Sequence, residues 1–163
     1  MKQALNFFCG IMLTTVLMVA AGCTDPTGVF DRNTPVPNHN WAYANPVKYD
    51  VKVEDTSIPY NLYLNLRVSG DYKYSNLFVL VHMSGPQLSP QVSRYEIKLA
   101  NAEGEWLGSG SGNLYSYQVY IKTDYHFPAK GVYHFAIEQN MRDNPLREVS
   151  DVGLRVEKKV STN

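Results

Sequence analysis

The sequence predicts an all-β protein, an antiparallel β-sandwich with jelly-roll or immunoglobulin-like connections, and three observations carry that prediction. Apolar and polar residues alternate with a period of two in segment after segment. Glycine- or proline-bearing turns separate those segments, and none of them carries a sustained helical stripe. Alternation says which row faces a core, but it leaves the order of the strands open.

Taken in chain order, KYDVKV places Tyr49, Val51 and Val53 on one face. YNLYLNLRV places Tyr60, Leu62, Leu64, Leu66 and Val68 inward, and Asn61, Tyr63, Asn65 and Arg67 toward water. NLFVLVHM is apolar on both rows and predicts a strand buried on both faces. RYEIKL returns to alternation through Tyr95, Ile97 and Leu99. Ala102-Glu103-Gly104-Glu105 before Trp106 predicts a hairpin turn, and GSGSGN before LYSYQVYIK a second reversal, because glycine reaches positive φ without steric cost. In the next two strands Tyr115, Tyr117, Val119 and Ile121 share a face, as do Tyr133, Phe135 and Ile137. NMRDNPLREVSD is compatible with one turn of helix, and VGLRVEK supplies the last strand.

The N-terminus answers a different question, that of where the protein works. Lys2, an uncharged apolar run from Phe7 to Ala20, and the small residues Ala20-Ala21-Gly22 before Cys23 have the outline of a signal peptide. The run, interrupted by Thr14 and Thr15, falls short of the roughly 20 apolar residues that span a bilayer. Ala-Ala-Gly-Cys resembles a bacterial lipobox, with Ala20 in place of the usual leucine. In a lipobox the leader is cut before the cysteine, which then carries the acyl chains. The expected organisation is therefore a leader over residues 1–22, a lipidated tether and edge segment over 23–46, rich in Pro, Asn, Thr and Gly, and a β-sandwich over 47–160. Thr24, with a lone Asp25 beyond it, suggests the outer membrane and its periplasmic face, by resemblance to lipoproteins in general. The other cysteine, Cys9, leaves with the leader, so the mature domain is held by packing without a disulfide. Fifteen basic residues against fifteen acidic ones, with no basic run, argue against nucleic acid as a partner.

No stretch carries a catalytic motif. In GSGSG, Leu107 and Asn113 break the nucleophile-elbow frame around Ser109 and Ser111, and no Lys-Ser or Lys-Thr follows to make a phosphate loop. His39, His82, His126 and His134 lack the spacing of a metal site, and Glu103, Asp124 and Asp151 would have to meet in space to act together. No cofactor is expected. Twelve tyrosines and two tryptophans are the one chemical excess. Alternation assigns most of the aromatics to the core and leaves Trp41, Tyr63, Tyr72, Tyr74 and Tyr120 as candidates for exposed contact, sugar stacking included.

Asn40-Trp41, Tyr72-Lys73-Tyr74-Ser75-Asn76-Leu77, Gly104-Glu105-Trp106-Leu107-Gly108-Ser109-Gly110, Glu138-Gln139-Asn140-Met141-Arg142 and Asp151-Val152-Gly153-Leu154 follow Cys23 in an order that resembles the GldH family of gliding-motility lipoproteins. The similarity runs over nearly the whole mature chain. It implies a lipid-anchored accessory of the motility apparatus and of the type IX secretion machinery that shares parts with it. It also implies envelope lipoproteins or secretion and motility components as partners, and it supplies no catalytic residue. A carbohydrate-binding lipoprotein is the alternative. Trp41, Trp106, Met141 and Arg142 are the candidate contact residues. For Arg142 the competing expectation is a brace, in which the guanidinium pairs with Asp143 or Asp151 and fixes the crossover loop.

Overall fold

The computed structural model describes residues 26–159, so the leader and Cys23 lie outside the described residues. Among the described residues eleven strands run in chain order: β1 Gly28–Pro35, β2 Asn40–Trp41, β3 Val47–Val53, β4 Tyr60–Ser69, β5 Asn76–Gly85, β6 Leu88–Lys98, β7 Ser109–Ser111, β8 Leu114–Tyr125, β9 Gly131–Gln139, β10 Leu146–Arg147 and β11 Val149–Lys158. They form a five-stranded sheet in the order β1-β11-β4-β8-β7, a four-stranded sheet in the order β3-β9-β5-β6, and the small pair β10-β2. Every pairing is antiparallel.

The order β1-β11-β4-β8 opposite β3-β9-β5-β6 is that of a jelly roll, two Greek keys whose strands alternate between sheets. Of the two topologies compatible with the sequence, the structure selects this one. The inward rows meet as expected: Leu62, Leu64, Leu66 and Val68 join Val152, Leu154 and Val156 on one sheet, facing Val51, Val53, Leu77, Val79, Tyr133 and Ile137 of the other. Tyrosine hydroxyls bond across the gap. Tyr49 of β3 donates to the Val152 carbonyl at 2.7 Å, and Tyr95 of β6 to the Ile121 carbonyl at 2.9 Å.

Two local expectations are corrected. In β5 only Leu77, Val79, Val81 and Met83 are buried, while Phe78, Leu80 and His82 are half-buried because no further layer among the described residues covers the outer face of this sheet. The Arg94 guanidinium lies 3.8 Å from the Phe78 ring centroid and shields it from water instead. The stretch around Asn144-Pro145 forms bends and the two-residue β10 rather than a helical turn; the single 3₁₀ turn among the described residues is Pro37–His39. Both turn expectations hold. Gly104 (φ +86°) closes the loop that brings Trp106 opposite Ala100, and Gly112 (φ +67°) turns β7 into β8.

The registers define two ends. Gly28, Val53, Tyr60, Tyr125, Gly131 and Lys158 lie at one, and Pro35, Val47, Ser69, Leu114, Gln139 and Val149 at the other. Strands of about ten residues, each rising ~3.3 Å, separate them by about 30 Å.

Candidate functional site

The loops far from Gly28 build a cleft of about 530 Å³ between Asp71–Tyr74 and Arg142–Glu148. The Tyr72-Lys73-Tyr74 stretch and the stretch that begins at Arg142, distant in sequence, are thus two walls of one feature. The second wall includes β10, which forms a two-strand clasp with β2 in which Leu146 pairs with Trp41.

The clasp explains why Trp41 is in the core, 1% exposed, rather than on the surface. Its indole N–H donates to the Asn45 carbonyl at 3.0 Å, which satisfies the one polar atom that burial would otherwise strand. Tyr63 and Tyr72 are buried too, Tyr74 and Trp106 are half-buried, and only Tyr120 of the aromatic candidates is well exposed. Trp106 stacks on Tyr115 with centroids 5.2 Å apart and planes at 28°. No strip of exposed aromatics runs across the described surface.

Gln139, 1% exposed, organises the crossover loop. Its carboxamide oxygen accepts from the Met141 backbone N–H at 2.8 Å, and its Nε2 donates to the Asp143 carbonyl at 2.9 Å. A side-chain amide thereby stands in for the missing strand partner at the end of β9. Met141 is half-buried and its sulfur accepts from the Phe78 N–H at 3.2 Å, while Tyr43 reaches over the loop to donate to the Met141 carbonyl.

Arg142 is therefore not the brace. Asp143 is held by Lys73 at 3.5 Å and Asp151 by Arg67 at 2.6 Å, and Arg142 stands exposed with no hydrogen bond or ion pair among the described residues. The acids of the cleft are engaged from within. Asp71 accepts from Asn113 at 3.0 Å, and Glu148 from the Ser69 hydroxyl at 2.6 Å. The Tyr74 hydroxyl beside Asp143, helped by Lys73, holds that carboxyl below its usual range. Burial pushes the Tyr72 phenol well above its ordinary value. Arg142 and Arg147 remain as exposed guanidiniums on the rim.

Such a cleft offers directional donors around a mixed apolar and polar wall. Among the described residues no three His, Cys, Asp or Glu side chains group to hold a metal ion. Asp124 is engaged by Lys159 near the Gly28 end, far from Asp151. The sequence singles out Met141 and Arg142 as contacts and offers Asp143 only as an ion-pair partner for Arg142; it gives no sign of the anchoring role of Gln139 or of Arg147 on the rim. The Asn144-Pro145 turn was the visible signal that this loop folds back on itself.

Fold and site together define a jelly-roll β-sandwich with a cleft at one end. The model of the GldH lipoprotein family matches residues 28–156, which takes in all the strands but the last residues of β11. Two similar proteins extend the match. The gliding motility lipoprotein GldH homolog of Christiangramia forsetii is 30% identical over 97% of this chain and 98% of its own length. The gliding motility lipoprotein GldH of Flavobacterium johnsoniae is 31% identical over 92% of this chain and 96% of its own. The chain belongs to the GldH lipoprotein family.

Proposed function

We propose that this protein is a non-catalytic accessory of the gliding-motility and type IX secretion-associated envelope machinery, anchored in the outer membrane through acylated Cys23 and facing the periplasm. Its cleft between Tyr72 and Arg142 docks another component of that machinery. The observation that carries this reading is the position of the cleft at the end of the sandwich opposite Gly28. Only Thr24 to Thr27 separate Cys23 from β1, a reach of at most about 18 Å. A lipid so close to Gly28 keeps the near end at the bilayer and directs the cleft about 30 Å away from it. Two acyl chains make that attachment stable where one does not.

Crosslinking in cells followed by purification from membranes tests the docking. The Arg142→Glu, Arg147→Glu double variant is expected to lose partner proteins while keeping the wild-type urea midpoint, and spreading or secretion is expected to fall. An unchanged set of crosslinked partners would overturn the cleft as the docking surface. Acyl label on wild type but not on Cys23→Ala is expected for the anchor; label persisting in the variant would remove it.

A further inference from the structure

The outer face of the five-stranded sheet carries a second feature that the cleft does not use. We propose that it is a binding site for a neutral oligosaccharide. A depression of about 430 Å³ lies there, lined by Asp31, Asn33, Asn65, Arg67, Gln118 and Asp151. These side chains come from four neighbouring strands, β1, β11, β4 and β8, and the antiparallel register brings them level.

The lining is pre-organised by its own hydrogen bonds. Asn65 donates to Asp31 and Asn33, both at 3.1 Å, and accepts from Gln118 at 3.0 Å. Gly153 sits between them on the outward row of β11, and a Cβ there would fall 1.8 Å from the Asn33 side-chain oxygen. The bare glycine is what lets the Asn33 amide lie across β11 and reach β4.

The polar chemistry selects the ligand. The carboxylates named here each touch a guanidinium: Asp31 and Glu157 share Arg155, at 2.9 and 2.8 Å, and Asp151 pairs with Arg67 at 2.6 Å. Free hydrogen-bonding capacity remains on neutral groups, since the Asn33 amide N–H groups, the Gln118 carbonyl and the Ser116 hydroxyl have no protein partner among the described residues. Adjacent donors and acceptors of this kind match the vicinal hydroxyls of a sugar. Two residues beyond Gln118 on the same row, a step of about 6.7 Å, stands Tyr120, 58% exposed. Its ring is propped against the buried Tyr63 with centroids 4.4 Å apart. It offers a fixed aromatic platform for the apolar face of the next sugar unit. The depression lacks the apolar centre that a protein interface uses.

The site stands apart from the cleft, so either can fail alone. The test is retention of the detergent-solubilised full chain on immobilised short cello-, manno-, xylo- and chito-oligosaccharides, followed by calorimetric titration with any sugar that retains it. Wild type is expected to bind at least one of these neutral sugars. Tyr120→Ala is expected to weaken binding about threefold to tenfold, and Gln118→Ala comparably, with thermal midpoints unchanged; Arg142→Glu is expected to bind as wild type. Retention of none of the sugars would overturn the proposal. So would binding that survives both the Tyr120 and the Gln118 substitution, or binding abolished by Arg142→Glu. If Tyr120→Ala loses its fold, Tyr120→Phe, which keeps the ring, is expected to bind near wild type, and loss of binding by a folded Phe variant would refute stacking.

Discussion

At the scale of single residues, Gln139 and Arg142 sit three positions apart in one loop and do opposite things. Gln139 is buried and makes two hydrogen bonds to loop backbone, while Arg142 is exposed and makes none among the described residues. Removing the Gln139 amide strands a part-buried N–H and a part-buried carbonyl, which costs about 1–3 kcal/mol, whereas an exposed arginine without partners contributes less than roughly 0.5 kcal/mol. Gln139→Ala is therefore expected to lower the urea midpoint clearly and Arg142→Ala to leave it unmoved. A large drop for Arg142→Ala would restore that residue as the brace. The sequence made Arg142 the natural candidate because a guanidinium beside Asp143 looks like an ion pair. Competition decided otherwise, since Lys73 and Tyr74 reach that carboxylate from a different loop.

Among the elements, the two sheets are fastened at β3 by one phenol. The Tyr49 hydroxyl donates to the Val152 carbonyl of β11 and lies 2.9 Å from the Thr34 hydroxyl of β1, while the ring meets Phe30 edge-on at 5.5 Å. Tyr49→Phe keeps the ring and removes the bond, and is expected to cost about 1 kcal/mol by chemical denaturation. Hydrogen exchange should show the change at Val152 and along β1, with β6 unaffected. β1 is the least obvious element in the sequence, since GVFDRNTP lies within the Pro- and Asn-rich stretch and has little apolar alternation. Its seat comes from pairing with β11, and its outward Asp31 and Asn33 are held by Arg155 and Asn65 across the sheet.

For the whole molecule, stability is bounded on both sides of the pH scale by groups the fold shifts. The Tyr74 hydroxyl, with Lys73, lowers the Asp143 carboxyl; for Glu157, burial acts upward, but the bonds from Tyr63 (2.5 Å) and Arg155 outweigh it and the net shift is downward. A carboxyl lowered in the folded state contributes stability that is present above its unfolded pKa of about 4 and is lost as pH falls through the folded value. Burial raises the phenols of Tyr49, Tyr60, Tyr63, Tyr72, Tyr117 and Tyr125. Their contribution is present below the unfolded pKa of about 10 and is lost as pH rises toward the folded values. The thermal midpoint is thus expected to stay level between about pH 5 and 9, to fall in acid, and to fall steeply above about pH 10. A flat alkaline limb would show that these phenols ionise without unfolding the chain.

What the sequence determined by itself was everything that repeats locally. The period of two put Tyr49, Val51 and Val53, the Leu62 to Val68 row, and Tyr133, Phe135 and Ile137 on inward faces, and Gly104 and Gly112 at turns, because a strand's geometry depends only on neighbouring residues. The order of its motifs likewise carried its family. What only the tertiary structure decided was everything that depends on which distant segments meet: the jelly-roll order, the burial of Trp41 in a clasp with Leu146, and the convergence of Tyr72 and Arg142 on one cleft. Alternation fixes which way a side chain points but not which strand lies beside it, and pairing of the registers is what set the polar ladder of Asn33, Asn65 and Gln118 side by side.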